Sequence, residues 1–134
     1  MIPAFDDDGM LPPGIHECTF DELAERFGTG SPEREVEIKE LRDFFDWAQQ
    51  AGIERVVVNG SFVTAKRAPN DVDVVILPGA DDSGVETLVV DMELRFPFLQ
   101  IIVAADEEDL ESWATSDFGT DRHGHPKGVV EVTL

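Results

Sequence analysis

The sequence is poor in cysteine and lacks long apolar runs. A single cysteine, Cys18, excludes an intramolecular disulfide, which fits a reducing compartment. No apolar run is long enough to cross a bilayer. Asp6, Asp7 and Asp8 stand where a secretory signal would carry a basic residue and then an apolar segment. We therefore expect a cytoplasmic protein with no membrane partner.

Basic residues are also scarce. The 10 lysine and arginine residues are opposed by 29 aspartate and glutamate residues, which gives a formal net charge of −19 at pH 7. Because such a surface repels the phosphate backbone of a nucleic acid, nonspecific DNA binding is not expected. If the ligand is an anion such as a nucleoside triphosphate, a divalent cation must bring most of the positive charge to its site.

Length and periodicity predict one α/β (α+β) domain over residues 1–134. Prolines and glycines interrupt residues 1–18 and predict an extended N-terminal arm. Start signals and apolar spacing predict helices at 19–28, 31–52 and 85–96 and a short helix capped by Asp106. Short apolar and β-branched runs predict strands at 55–59, 72–77, 98–104 and 128–134. We expect a mixed sheet of about four strands with helices mainly on one face.

The stretch with chemical meaning joins the first two predicted strands. The first strand ends at Gly60 and Ser61, and nine residues later Asp71-Val72-Asp73 opens the second. Gly60 lets the backbone pass close to a phosphate, to which Ser61 and the following amides can donate hydrogen bonds. Asp71 and Asp73 are two apart on a strand, so both carboxylates project to one face and can hold one or two Mg²⁺ ions. We therefore predict a nucleotide-binding turn beside catalytic, metal-binding acids.

Three further residues are candidates for this site. Lys66 and Arg67, in the connection between the two strands, are the natural nucleotide-binding partners for phosphate in an otherwise acidic chain. Gln100 is the only polar residue inside the third predicted strand. That position suits a catalytic residue facing the acids, and it equally suits a partly exposed strand face. Because an amide is neutral, Gln100 would be a weaker metal ligand than a carboxylate and a poor general base.

The motif Gly-Ser-Phe-Val-Thr-Ala-Lys, followed by Pro-Asn-Asp-Val-Asp, resembles the signature of the nucleotidyltransferase superfamily: a strand, Gly-Ser, about ten residues and Asp-x-Asp. The opening Leu-Pro-Pro-Gly-Ile-His and the ending Pro-Lys-Gly-Val-Val-Glu-Val look like a small prokaryotic family of this fold. The core is also similar to the minimal nucleotidyltransferases of toxin–antitoxin pairs. The resemblance implies Mg²⁺-dependent transfer of a nucleotidyl group from a nucleoside triphosphate to a hydroxyl of a protein, an RNA or a small molecule.

The resemblance leaves two functions open. Superfamily enzymes usually carry a third carboxylate on a later strand, where this sequence aligns Gln100. The chain is either an active transferase or a catalytically degenerate, antitoxin-like module that binds a nucleotide or a protein partner. The missing carboxylate and the short chain favour the second function.

Other polar residues are weaker candidates. Asp121, His123 and His125 form a loop that could touch a metal, but its composition is that of an ordinary turn. Asp106 could replace the missing carboxylate only if its strand curves toward the site. His16 suits a local structural hydrogen bond.

Overall fold

The protein is built around one mixed sheet, and a computed structural model describes residues 2–79, 94–117 and 127–134. The strands are β1 (Gly14–Cys18), β2 (Ile53–Asn59), β3 (Val72–Pro78), β4 (Leu99–Val103) and β5 (Gly128–Val132). The described helices are α1 (Phe20–Phe27), α2 (Pro32–Gln50) and α3 (Glu107–Ser112), with a 3₁₀ turn at Gly60–Val63 and a π-helical turn at Trp113–Asp117.

The strands lie in the order β1-β5-β2-β3-β4. β1 runs parallel to β5 and β3 runs parallel to β4, whereas β2 is antiparallel to both of its neighbours, β5 and β3. Most residues of β2 and β3 are buried, because these strands lie inside the sheet with helices on its faces. This position explains their continuous valine runs, which lack the alternation of a half-exposed strand.

The sheet has five strands where the sequence predicts about four, so that prediction was wrong by one. The additional strand, β1, is the last part of the segment predicted as an extended arm, residues 1–18. It pairs along β5 in register, from Gly14 with Gly128 to Cys18 with Val132. Its short sequence has no strong local strand pattern, because an edge strand is defined by its partner, and that partner is far away in the chain.

The helix start signals are confirmed. Thr19 Oγ1 accepts the Glu22 N–H at 3.2 Å and the Glu22 carboxylate accepts the Thr19 N–H at 3.1 Å, which is the predicted capping box of α1. Ser31 accepts the Arg34 N–H at the start of α2, and Asp106 caps α3 with its side chain. No helix in the described ranges combines the length and apolar character that a membrane span requires.

The described helices pack on both faces of the sheet, with the two longer ones together. Leu23 of α1 and Phe44 of α2 are fully buried in the larger core on one face. Val57 of β2 and Leu110 of α3 are buried in a smaller core on the other. Burying one such side chain contributes roughly 2 kcal/mol. The candidate site lies on the face of the sheet that α3 covers, at the end of the sheet opposite to α3.

A buried arginine fixes the connection between β2 and β3. Arg34 of α2 is 5% exposed. Its guanidinium donates hydrogen bonds of 2.6 to 3.2 Å to four main-chain carbonyl oxygens, those of Phe27, Phe62, Thr64 and Lys66. A planar group with five N–H donors can serve several carbonyls that no regular element would pair. The connection is therefore held against α2, which sets the position of the turn after β2.

Candidate functional site

The turn after β2 packs its backbone directly against an acid of β3. Gly60 has a φ of 76°, in the left-handed region that favours glycine. A Cβ at this position would overlap the Asp73 carboxylate at Oδ2, so any side chain here would displace Asp73. Asn59 pairs with Asp73 across β2 and β3, which explains why the turn and the acid meet. The structure thus brings Gly60 and Asp73 together.

Ser61 lies in the same turn. It is half-buried, and its carbonyl accepts hydrogen bonds from the Thr64 N–H at 3.2 Å and from the Thr64 hydroxyl at 2.7 Å. These two bonds close the 3₁₀ turn at Gly60–Val63. Ser61 is therefore held next to Gly60 by the turn itself.

Gln100 reaches the first acid of the motif. Its Nε2 donates a hydrogen bond to Oδ2 of Asp71 at 2.8 Å. Gln100 also pairs with Asp73 in the parallel register of β3 and β4, and paired residues put their side chains on the same face of a sheet. Asp71 and Asp73 are half-buried and Gln100 is exposed. The amide therefore lies with the two carboxylates, on their side of the sheet.

Burial and the neighbouring Asp71 carboxylate shift the pKa of Asp73. The pKa of Asp73 is raised to about 6, first because burial disfavours the charged form and second because the Asp71 carboxylate is near. Lys127 acts in the opposite direction and lowers the pKa of Asp73. A cation between the two carboxylates would offset their repulsion and stabilise the ionised form of Asp73.

Sequence reasoning misses two residues at this place. Lys127 directly precedes β5, and because β5 is antiparallel to β2, the start of β5 lies beside the end of β2. Asn59 is fully buried, its Nδ2 donates to the Val57 carbonyl at 3.1 Å, and its Oδ1 has no hydrogen-bond partner among the described residues. As the direct partner of Asp73, Asn59 shares its face. The sequence does contain signals for both residues: Asn59 is a polar residue at the end of an apolar strand, and Lys127 is a lysine just before another strand.

Lys66 and Arg67 lie apart from the acids. Both are exposed, and they line a pocket of about 300 Å³ together with Arg26 and Arg34. Neither the Gly-Ser turn nor the two aspartates line that pocket. The structure therefore does not group Lys66 and Arg67 with the predicted phosphate-binding turn. The physical reason is that Arg34 binds the Lys66 carbonyl at 2.6 Å and holds this part of the connection against α2.

The remaining candidates lie elsewhere. Asp106 follows the carboxyl end of β4, whereas Gln100 is near the amino end, so Asp106 is at the opposite end of the sheet from the acids. His16 Nε2 donates to the Pro12 carbonyl at 2.6 Å, which is the local hydrogen bond predicted for it. The loop of Asp121, His123 and His125 and nearly all of the predicted helix at 85–96 lie outside the described residues.

The paired acids fit a hydrated Mg²⁺ ion. Among the described residues there is no group of three or more histidine, cysteine, aspartate or glutamate side chains that could hold a metal. Mg²⁺ nevertheless usually keeps several waters and is bound by one or two carboxylates plus substrate phosphates. Asp71 and Asp73 supply two carboxylates with unfavourable mutual charge, and the Asp73 carboxylate lies directly against the Gly60 backbone. The donor set therefore suits this ion without a third acid.

These features define an α+β protein whose five-strand mixed sheet carries an acid pair against a glycine turn. A family model described as a family of unknown function (DUF6932) matches residues 3–133, and the chain belongs to that family. No curated protein and no solved structure matches the chain.

Proposed function

We propose that this protein has the nucleotidyltransferase fold and transfers a nucleotidyl group from a nucleoside triphosphate to a hydroxyl of a protein, an RNA or a small molecule, with Mg²⁺ as cofactor. The observation that carries the proposal is the contact between the Gly60 backbone and the Asp73 carboxylate, with Asp71 two residues earlier. A turn that a phosphate can approach and two acids that can hold a metal then lie at one place.

The arrangement of the strands supports the fold part of the proposal. β2 ends in the Gly-Ser turn, β3 returns antiparallel with the two aspartates, and β4 lies beside β3 with Gln100 next to Asp73. In the superfamily that the motif resembles, the strand before Gly-Ser, the Asp-x-Asp strand and the strand of the third acid carry one common site. The order β2-β3-β4 provides the same succession.

Each residue has a role given by its chemistry. The Gly-Ser turn admits the triphosphate to the backbone and offers N–H donors. Asp71 and Asp73 would hold Mg²⁺, which when bound neutralises charge on the phosphates. Gln100 orients Asp71 through its hydrogen bond. Lys127 adds positive charge near Asp73.

A second function is favoured by one specific observation. Gln100 uses its amide N–H to bind Asp71, and an amide cannot take a proton from an attacking hydroxyl. A site without a strong base could bind a nucleotide with Mg²⁺ and fail to turn it over. In that case the protein is a nucleotide-binding or protein-binding module, of the kind that acts as the antitoxin-like half of a two-protein system. We place either function in the cytoplasm.

Binding is tested by thermal unfolding with ATP, GTP, CTP or UTP, each with and without Mg²⁺. A ligand that binds only the native state raises the midpoint. We expect a Mg²⁺-dependent rise with at least one nucleotide in the wild type and none in Asp73→Asn. Asp43→Asn, an exposed change of equal charge on α2, is the matched control and keeps the response. Absence of a Mg²⁺-dependent rise with all four nucleotides would refute the transferase and the nucleotide-binding module, and would leave protein binding as the function.

Turnover is tested separately by following transfer of a radiolabelled α-phosphate to added protein, RNA or small-molecule acceptors. Transfer by the wild type, lost in Asp73→Asn, supports the enzyme. Binding without transfer in the wild type, together with a gain of transfer in Gln100→Asp, supports the degenerate module.

A further inference from the structure

The pocket lined by Lys66 and Arg67 concentrates the scarce positive charge of this chain. Its lining includes four basic residues, and we call it the basic pocket: Arg26, Arg34, Lys66 and Arg67. They are four of only 10 lysine and arginine residues, and no acidic residue among those that the structure describes lines the pocket, although 29 of 134 residues are acidic. In a chain with a net charge of −19, such a local excess of cations creates a positive potential where the average surface is negative.

No ion pair within the described residues involves Arg26, Lys66 or Arg67, whereas Arg34 interacts electrostatically with the nearby buried carboxylate of Glu37. The hydrogen bonds of Arg34 go to main-chain carbonyls, which carry no full negative charge. The ion pairs seen in the described ranges instead join Arg55 to Glu111 and Glu131. An anion entering the basic pocket would therefore displace water and not an internal carboxylate.

The same pocket has an aromatic wall. Phe5 and Phe27 line it with ring centroids 6.0 Å apart, and the Arg26 guanidinium carbon lies 4.4 Å from the Phe5 ring centroid. The pocket volume of about 300 Å³ is at the lower end for small-molecule sites and exceeds the needs of a simple anion. Exposed cations at Lys66 and Arg67 and the half-buried ring of Phe5 line one pocket, and this combination suits a ligand with both a phosphate and a flat ring.

We propose that the basic pocket binds a small phosphorylated ligand that carries an aromatic ring, without a metal ion. Lys66 and Arg67 would bind the phosphate through charge-assisted hydrogen bonds, while Phe5 packs on the ring. A nucleoside monophosphate is the simplest probe of this class. The proposal needs neither Asp71 nor Asp73, so it stands or falls independently of the proposed function.

The test is calorimetric titration of the full chain in EDTA with adenosine monophosphate, with inorganic phosphate and with adenosine. We expect the monophosphate to bind more tightly than either fragment. Lys66→Ala and Arg67→Ala, both exposed positions, should each weaken binding by about tenfold, the worth of one charge-assisted hydrogen bond. Phe5→Leu should weaken binding of the monophosphate and leave binding of inorganic phosphate unchanged.

Two control variants separate a built site from general electrostatics. Arg42→Ala removes the same charge from an exposed arginine that also packs over a phenylalanine, Phe20, but lies outside the basic pocket. Asp73→Asn alters the acid pair. Both should bind the monophosphate as the wild type does. No binding in the wild type, equal affinity for phosphate alone, or equal weakening by Arg42→Ala would each overturn the proposal.

Discussion

Nε2 of Gln100 lies 2.8 Å from Oδ2 of Asp71, so a neutral amide on β4 is hydrogen-bonded to a carboxylate just before β3. Asp71 already raises the pKa of Asp73 by repulsion. A third carboxylate at position 100 would add like charge, whereas the amide donates a hydrogen bond. We infer that Gln100 stabilises the metal-free protein and lowers the affinity of the acids for a divalent cation.

Replacing this amide by an acid should lower the stability of the metal-free protein and increase its stabilisation by Mg²⁺. Gln100→Asp should lower the free energy of unfolding in EDTA by about 1 kcal/mol, through the lost hydrogen bond and the added repulsion. It should also make the midpoint rise more steeply with Mg²⁺ than in the wild type. Thermal unfolding over a Mg²⁺ series measures both effects. Gln100→Leu is the control, because it loses the bond and adds no charge. A Mg²⁺ response of Gln100→Asp no greater than that of Gln100→Leu would contradict this inference.

The close packing of Gly60 on Asp73 predicts a larger alanine penalty than backbone strain alone explains. Gly52 has a φ of 74°, and no atom lies within 4 Å of the position that a Cβ would take there. Gly52→Ala should therefore lower the free energy of unfolding by only about 1 kcal/mol. Gly60→Ala has the same strain and must also displace the carboxylate, and we expect about 3 kcal/mol. Urea unfolding gives both values, and a Asp73→Ala background should reduce the difference. Equal penalties at the two glycines would show that Asp73 moves freely.

Glu37 predicts a pH dependence of stability. It is 1% exposed, and neither carboxylate oxygen has a hydrogen-bond partner in the described residues. Its pKa is raised from 4.5 to about 7, chiefly by burial and also by Asp71, while Arg34 lowers it. Because the folded state holds this proton more tightly, the stabilisation is full below pH 4.5 and is lost as pH rises through about 7.

Glu37→Gln removes this titration and should therefore flatten the pH profile. At about pH 8 the variant should be more stable than the wild type by roughly 2 kcal/mol, and the difference should shrink toward about pH 5. Comparison with the wild type isolates Glu37 from Asp73, whose raised pKa acts in the same direction. Glu35→Gln, exposed on the same helix, should leave the profile unchanged. A constant offset between Glu37→Gln and wild type at every pH would sink the prediction.

Arg34 should be the residue on which the connection 60–67 most depends. Arg34→Lys leaves several of its carbonyl partners without a donor, since an ammonium cannot reproduce the planar fork, and should destabilise the fold by about 3 kcal/mol. Amide hydrogen exchange should increase in residues 60–67 more than in β2. Arg42→Lys, exposed on α2, is the matched change and should alter neither quantity. Unchanged amide exchange in Arg34→Lys would mean that the connection 60–67 keeps its conformation without the hydrogen bonds of Arg34.

Local chemistry made part of the fold predictable. The capping box of Thr19 and Glu22, the Ser31 cap and the Asp106 cap each act within a few residues, so the sequence predicts the helix starts correctly. Gly60 and Asp73 are joined by a single antiparallel return, and their proximity follows from the short connection between β2 and β3.

Long-range packing made the rest unpredictable. Lys127 reaches the acids only because β5 pairs beside β2, and β1 exists only because β5 offers it an edge. Lys66 was assigned to the phosphate turn because it is near in sequence, but the carbonyl bonds to Arg34 place it in another pocket. The buried state of Glu37 likewise depends on what packs over α2, which no periodicity reveals.

The position of β5 between β1 and β2 also bears on how this protein forms during translation. Both neighbours leave the ribosome well before residues 128–132 are made, so each emerges with an open hydrogen-bonding edge and no mate. Among the described strands β5 is made last and enters the gap between β1 and β2, so a truncation before Gly128 would leave the single strand β1 separate from the β2-β3-β4 group.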